Sequence, residues 1–362
     1  MSPVDPRYYT MEPTVRLGDY GMPAGASWDR IDQAATAALG VDCIGVPSVR
    51  VGLCWVMEHL GLRRHTDHVL VPRFMGECIL KAINRQAFPV EQRTEETRLA
   101  VVVHQYGLRQ DLDAVSQECR SRGIRYIEDG AYGFENDESP GPGSMGKLLA
   151  LTKTLPVLKG ALLVSDDQTL VNFMKMKRRE SSRWSWYVLA SLAFLRRRRH
   201  ACSYSTLAGS AYDLYLDSKG DNSWIRKNIL RGVGKFESFS AECQRRLSLI
   251  ESGLGSMALI PDTNRLVYAV PLLPGAAVEK AQEIFHAQGF DPGLYHVDVA
   301  RNIFNPSYEK HLLLPINPRI PSSRFDRLID SLSKLDPIAR SEEGMKNEMP
   351  PLAPTGRSGH SD

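Results

Sequence analysis

Between about residues 40 and 170 the chain repeats one pattern, in which short apolar runs alternate with segments of helical periodicity. "DHVLVPRF", "RLAVVVHQYG", "GIRYIEDG" and "KGALLVSDD" each read as a buried strand, and "DLDAVSQECRSRG" between two of them reads as a helix. Strands alternating with helices predict an α/β fold around a mostly parallel sheet. A chain of 362 residues is longer than a single hydrophobic core usually grows, so a second, smaller α/β domain is expected. The expected division is an N-terminal arm at 1–13, a large domain at 14–250, a small C-terminal domain at 251–338 and a tail at 339–362 with too few apolar residues to order itself.

Composition narrows the function classes. The chain is 43% hydrophobic and 24% charged, as an ordinary soluble globular protein is, and a formal charge of +3 is too small to imply a nucleic-acid partner. Its six cysteines are scattered, none pairs with a histidine or another cysteine at metal-ligand spacing, and nothing at the N-terminus reads as a signal peptide, so a reducing cytoplasm and no metal are expected. Without a G-x-S-x-G or Walker loop, hydrolase and nucleotide-hydrolysing readings lose their usual support.

Two residues stand out. In "RYIEDGAYGF" the strand ends on Glu128 and Asp129, and the carboxyl ends of strands are where open α/β sheets bind ligands. In "GKLLALTKTLPVLKGALLVSDD", residues 146–167, Lys153 lies between two threonines in apolar surroundings, where lost hydration favours the neutral, nucleophilic amine. Each has a plainer reading: an aspartate that forms a turn or caps a helix, and a lysine that snorkels from a strand end. The two are 24 residues apart with a loop between them, so both can approach one crevice from neighbouring elements. A strand-end Asp and a later Lys are what pyridoxal phosphate needs, since the lysine amine holds the aldehyde and the Asp keeps the pyridine nitrogen protonated. Freed by a substrate amine, the same lysine can move a proton.

The runs "VVVHQYGLRQDLDAVSQECRSRGIRYIEDGAYGF" and "GSMGKLLALTKTLPVLKGALLVSDD" resemble the DegT/DnrJ/EryC1/StrS family of sugar aminotransferases. The residues that match are His104, Tyr106, Gly107, Asp111, Asp113, Glu128, Asp129, Ala131, Gly143, Ser144, Gly146, Lys153 and Gly160. More weakly, "VPSVRVGLCWVMEHLGLRRHTDHVLVPRF" and "HLLLPINPRIPSSRFDRLIDSL" are similar to its opening and closing segments, so the likeness spans roughly residues 14–335. The resemblance implies a type I pyridoxal-phosphate fold and a homodimer with both sites at the interface. It also implies transfer of an amino group from an amino acid, glutamate by analogy, to a keto-sugar carried on a nucleotide, in glycan or surface-polysaccharide biosynthesis. Alternatives are a dehydratase that uses the same cofactor and a catalytically silent relative that serves as a scaffold in polysaccharide assembly.

By the same resemblance, Lys153 and Asp129 are the catalytic pair, and Ser48, Val49, Arg50, Phe74, Tyr132 and Thr152 join them as cofactor contacts. The departures concern the phosphate cup and the ring. Val49 stands where the family has a glycine, and Ala150 where it has a serine, leaving Thr152 as the nearest hydroxyl. Tyr132 replaces the usual Gln or His and can still lie against the pyridine ring, while the aromatic expected near Gly76 is supplied by Phe74. His104, in a buried strand, reads more readily as structural than catalytic, and Asn222, Ser223 and Asn228 fall where the family passes residues to the partner subunit.

"KMKRRESSRWSWYVLASLAFLRRRRH", residues 175–200, has the least usual composition in the chain. Its 12-residue apolar centre is far short of the ~20 residues needed to span a bilayer. It reads as a helix packed on the protein's own core, as a surface for an anionic substrate, or as a peripheral membrane contact over 184–199, with Trp184, Trp186 and Phe194 at headgroup level and Arg196 to Arg199 against anionic lipid.

Overall fold

The computed structural model describes Pro13 and residues 26–135, 138–179, 223–262, 265–272 and 278–335. The expected arm apart from Pro13, the segment 184–199, Asn222 and the tail 339–362 lie outside the described residues. Among the described residues no helix is long and apolar enough to cross a membrane.

The large sheet is built from β1 (Cys43–Val46), β2 (His68–Leu70), β3 (Phe88–Val90), β4 (Thr97–Val103), β5 (Arg125–Asp129), β7 (Lys147–Ala150) and β8 (Ala161–Val164). Their order is β1-β8-β7-β5-β4-β2-β3. From β3 to β7 every neighbouring pair is parallel, and β8 runs antiparallel to β7 and β1. The four apolar runs picked out in the sequence are β2, β4, β5 and β8, and the intervening helix is α4 (Leu112–Ser121), capped by an Asp111 carboxylate that accepts from the Ala114 N–H.

The alternation of β4 explains why this sheet carries helices on both sides. Leu99, Val101 and Val103 pack with Ile127 and Val69 against α2 (Val49–His59), α3 (Glu77–Ile83) and α6 (Gln168–Arg179). Ala100 and Val102, one residue out of phase, pack with Tyr126 against Leu112, Val115 and Cys119 of α4. A strand buried on both faces has no polar side to offer, which is why its sequence is nearly continuous in valine, and each such side chain contributes roughly 1.5–3 kcal/mol.

A second sheet, β10 (Ala269–Leu272), β12 (Tyr308–Pro315) and β11 (Leu294–Asp298) in that order, is entirely antiparallel. One face, with Val270, Leu272, Leu312 and Leu314, shares a core with Phe285 of α9 (Val278–Ala287) and with Phe325 and Leu328 of α10 (Ser322–Leu332). The other face, with Ala269, Val297 and Leu313, packs on Tyr106 and Leu108 in the turn that leaves β4. The division expected near residue 250 falls within α8 (Phe236–Leu254), after which a short ribbon pairs β9 (Leu266–Val267) with β6 (Gly133–Phe134). This ribbon ties the entry to the small sheet to the segment just beyond β5.

Gly146 opens β7 at φ 150, and a Cβ there would stand 2.7 Å from the Val164 carbonyl oxygen on β8. Because that neighbour is backbone, it cannot turn aside. Gly146→Ala should therefore cost about 1–3 kcal/mol. The measurement is a denaturant unfolding curve, with the midpoint falling and the slope unchanged.

Candidate active site

The carboxyl ends of β4, β5 and β7 lie side by side. His104 N–H donates to the Asp129 carbonyl at 3.0 Å and Gly130 N–H to the Leu148 carbonyl at 2.9 Å, so the parallel ladder runs to the last residue of β5. Asp129 is 4% exposed. One carboxylate oxygen accepts from the Ala131 N–H at 2.9 Å, and the other has no protein donor among the described residues. Burial pushes its carboxyl up to about 6, against the opposing pull of the Ala131 hydrogen bond, the His104 ring and the Lys153 ammonium. Lys153 is thus near enough to act on Asp129 electrostatically.

Lys153 sits in α5 (Leu151–Thr154), a single turn between β7 and β8. Its Nζ lies 4.6 Å from the ring centroid of Tyr268 and 5.4 Å from that of Tyr132. Tyr132 in turn is 4.8 Å from Tyr106 and 5.7 Å from Tyr268, and Tyr295 on β11 meets Tyr106 edge-on at 6.2 Å. Two tyrosine rings therefore face the ammonium group, and Tyr106 and Tyr295 extend the aromatic cluster behind Tyr132. Burial pushes the phenols of Tyr106 and Tyr132 up, with Lys153 opposing. Tyr106 is held at φ 55, a left-handed backbone that costs a residue with a Cβ about 1 kcal/mol. Strain of this kind persists where the surroundings over-determine it, and here the ring is fixed against Tyr132 and the small sheet.

His104 supports the site from behind. Its Nδ1 accepts from the Gln110 N–H at 3.2 Å, which leaves the proton on Nε2, 3.0 Å from the Glu128 carboxylate. Both ring nitrogens are thus committed to the protein, in agreement with the structural reading. Burial works to raise Glu128, but His104 and the Gly141 N–H bring its carboxyl below the ordinary value.

The sequence argument from an ammonium in an apolar run needs correcting. That run holds three lysines, and Lys147 and Lys159 are fully buried while Lys153 is half-buried. Lys147 is tolerated because Glu135 and Glu138 both place a carboxylate oxygen 3.0 Å from its Nζ. Apolar context alone therefore does not single out Lys153, and its place one turn past β7, beside Asp129, does.

The remaining expected contacts divide. Ser48 caps α2, its hydroxyl accepting from the Val51 N–H at 3.2 Å, so part of that helix end is already satisfied by its own serine. Val49 and Ala150 are buried in the same apolar cluster as Ile44 and Val46, against which Tyr132 also packs. Arg50 and Thr152 are half-buried near the starts of α2 and α5. Phe74 is held by the small sheet, stacked on His296 at 3.9 Å and edge-on to Tyr308 at 5.0 Å. Asn228 is buried in its own chain, its side-chain oxygen accepting from the Leu158 N–H at 2.8 Å.

Sequence reasoning assigned nothing to Gln105, Tyr268 or Tyr295. The Gln105 amide accepts from the Asp298 N–H at 2.8 Å and donates to the His296 carbonyl at 3.4 Å, standing in for a neighbouring strand along β11. Tyr268 and Tyr295 lie in alternating apolar segments, where an aromatic reads as core. Among the described residues no group of His, Cys, Asp and Glu could hold a metal ion.

The family described as "Putative PLP-dependent aminotransferase" matches residues 41–335, and the chain belongs to it. No curated protein matches the chain. Among solved structures it is similar to S. venezuelae DesV in complex with a ketimine intermediate, with 19% identity, 90% of this chain and 93% of that one covered and a TM-score of 0.58. It is similar to DesI with its TDP-sugar product at 14% identity, 92% and 94% coverage and a TM-score of 0.62. Helicobacter pylori PseC, an aminotransferase of pseudoaminic acid biosynthesis, aligns at 11% identity, 90% and 98% coverage and a TM-score of 0.62. These likenesses establish the fold as that of the type I PLP-dependent aminotransferases, as the sequence resemblance implied. The protein is a PLP-dependent aminotransferase.

The site fits that cofactor. A buried carboxyl whose anion is disfavoured, with one oxygen open, gains most from a cationic partner such as a protonated pyridine nitrogen. An amine sits beside it on a separate element.

The raised carboxyl has a consequence for the cofactor-free protein. Folded Asp129 holds its proton to about 6 and an unfolded aspartate only to 3.8, so the contribution to stability is complete below about 4 and is lost as pH rises through 6. The loss is on the order of 3 kcal/mol. Asp129→Asn should remove it, so that the melting temperature of the variant exceeds that of the parent by an amount that grows between pH 4 and 7. Parallel melting curves across that range would refute the assignment.

Proposed function

We propose that this chain transfers an amino group from an amino acid, glutamate by analogy, to the carbonyl carbon of a keto-sugar carried on a nucleotide, in the assembly of a glycan or surface polysaccharide. The observation that carries the reading is the buried Asp129 carboxyl, open on one oxygen, within electrostatic reach of Lys153, whose ammonium lies over the rings of Tyr268 and Tyr132. The likeness to DesI, solved in the presence of its TDP-sugar product, and to PseC, an aminotransferase of pseudoaminic acid biosynthesis, supports the sugar.

Pyridoxal phosphate supplies an aldehyde that condenses with amines and a ring that takes up electrons from the carbon bearing the nitrogen. Asp129 would hold the proton on the ring nitrogen, and Lys153 the aldehyde. Tyr132 would lie along the ring. The first turn of α2, with Arg50 beside it, and Thr152 would receive the phosphate. With its amine free, Lys153 would move a proton to and from the substrate carbon as general base and then acid. Tyr106 and the small sheet exclude water from this side. A cytoplasmic homodimer with its sites at the interface, and a peripheral membrane contact over 184–199, complete the proposal.

Borohydride should fix the cofactor covalently to the peptide bearing Lys153. Lys153→Ala should abolish that fixation while leaving the melting temperature within a few degrees. Asp129→Asn should retain cofactor yet slow amino transfer to nucleotide-linked keto-sugars by several orders of magnitude, read in single-turnover kinetics. Fixation on another lysine, or near-parent turnover in Asp129→Asn, would overturn the roles.

A further inference from the structure

The ribbon of β6 and β9 is only two residues long on each side, yet it sets the geometry around Lys153. Gly133 pairs with Val267 and Phe134 with Leu266. Continued by one residue, this register places Tyr132 beside Tyr268, and the Tyr268 N–H donates to the Tyr132 carbonyl at 2.8 Å. The two rings thereby come from opposite strands onto one ammonium, at 4.6 and 5.4 Å from Nζ. Tyr132 follows directly from the strand that carries Asp129, whereas Tyr268 belongs to the segment leading into the small sheet.

We propose that Tyr268 is a positioning residue that uses its ring face, together with that of Tyr132, to hold Lys153 as an ammonium. The inference rests on the reading of Lys153 as the cofactor-holding and proton-carrying lysine, and it adds what makes the proton stay on Nζ. A lysine half-withdrawn from water is pulled toward its neutral form by lost hydration. An aromatic face offers the cation a negative quadrupole that adds to whatever else holds the ammonium, the Asp129 carboxylate included. A carboxylate at the same place would fix the ammonium more firmly and slow its return. Among the described residues the titratable groups near Lys153 include Asp129 at the end of β5, Tyr132 ahead of β6, Tyr106 in the turn after β4 and Tyr268 itself. In the reaction, the same faces favour proton uptake by the freed lysine amine from the substrate carbon.

The test measures the reactivity of Lys153 and not turnover. The full-length chain, freed of cofactor, is treated with formaldehyde and cyanoborohydride, and the rate of methylation at Lys153 is followed by peptide mass spectrometry in the parent, Tyr268→Phe and Tyr268→Leu. Only the neutral amine reacts, so at pH 7 loss of the ring face should speed methylation about two- to thirty-fold in Tyr268→Leu. Tyr268→Phe, which keeps the face, should match the parent. At alkaline pH, where the amine is neutral in every variant, the rates should converge. Tyr268→Met stands in if the leucine variant fails to fold.

Equal rates in Tyr268→Leu and parent at pH 7 would overturn the proposal. So would acceleration that persists at alkaline pH, which would mean that Tyr268 merely shields the amine, or a phenylalanine variant as fast as leucine. Failure of the underlying reading is separate: borohydride would then fix the cofactor on a lysine other than Lys153, whatever the methylation rates show.

Discussion

The site depends on keeping one carboxylate out of water. Asp129 occupies the last position of a strand that is paired on both sides, and its backbone is gripped by His104 just past β4 and, through Gly130, by Leu148 on β7. Desolvation there works against the anion and makes a cationic partner worth more than it would be at the surface. On the proposed role of Asp129, a cofactor with a basic ring nitrogen would supply that partner, and the cost of burial would return as affinity and polarisation. Such stored cost is the usual trade between stability and function.

Around that carboxylate the other charges are balanced inside the chain. Glu128 points away from Asp129 onto His104 and Gly141, and Lys147 is enclosed by Glu135 and Glu138. Without these pairings two adjacent acids and a fully buried lysine could not share a sheet edge. Such groups contribute little net stability, because desolvation consumes most of what their attraction returns. They keep other charges from crowding Asp129 and Lys153.

The small sheet does two jobs with its two faces. One is an ordinary core against α9 and α10, and the other covers the turn after β4 and brings Tyr295 near the site. Gln105 fastens this arrangement by hydrogen-bonding to β11 as a strand would, without any strand there. Phe74, expected at the cofactor ring, stacks on His296 of the same sheet.

Much was legible in the linear chain for a physical reason: strands buried on both faces must be continuously apolar, and the strand-helix alternation of the large sheet follows from that period alone. The Asp129 strand end and the loop that carries Lys153 were legible too, because a strand end and the loop after the next strand but one are local features. Which of the three lysines in 146–167 keeps its amine in the site was not. Lys147 and Lys153 differ only in what surrounds them, and the carboxylates of Glu135 and Glu138 reach Lys147 through folding. Nor could Tyr268 be read from sequence, since a tyrosine in "RLVYAVPLL" looks like core until the pairing of β6 with β9 carries it across more than 130 residues to stand beside Tyr132. Local periodicity determined the elements and the chemistry available at their ends, and long-range pairing decided which side chains share a site, because contact between residues distant in the chain depends on packing and has no signature in either neighbourhood.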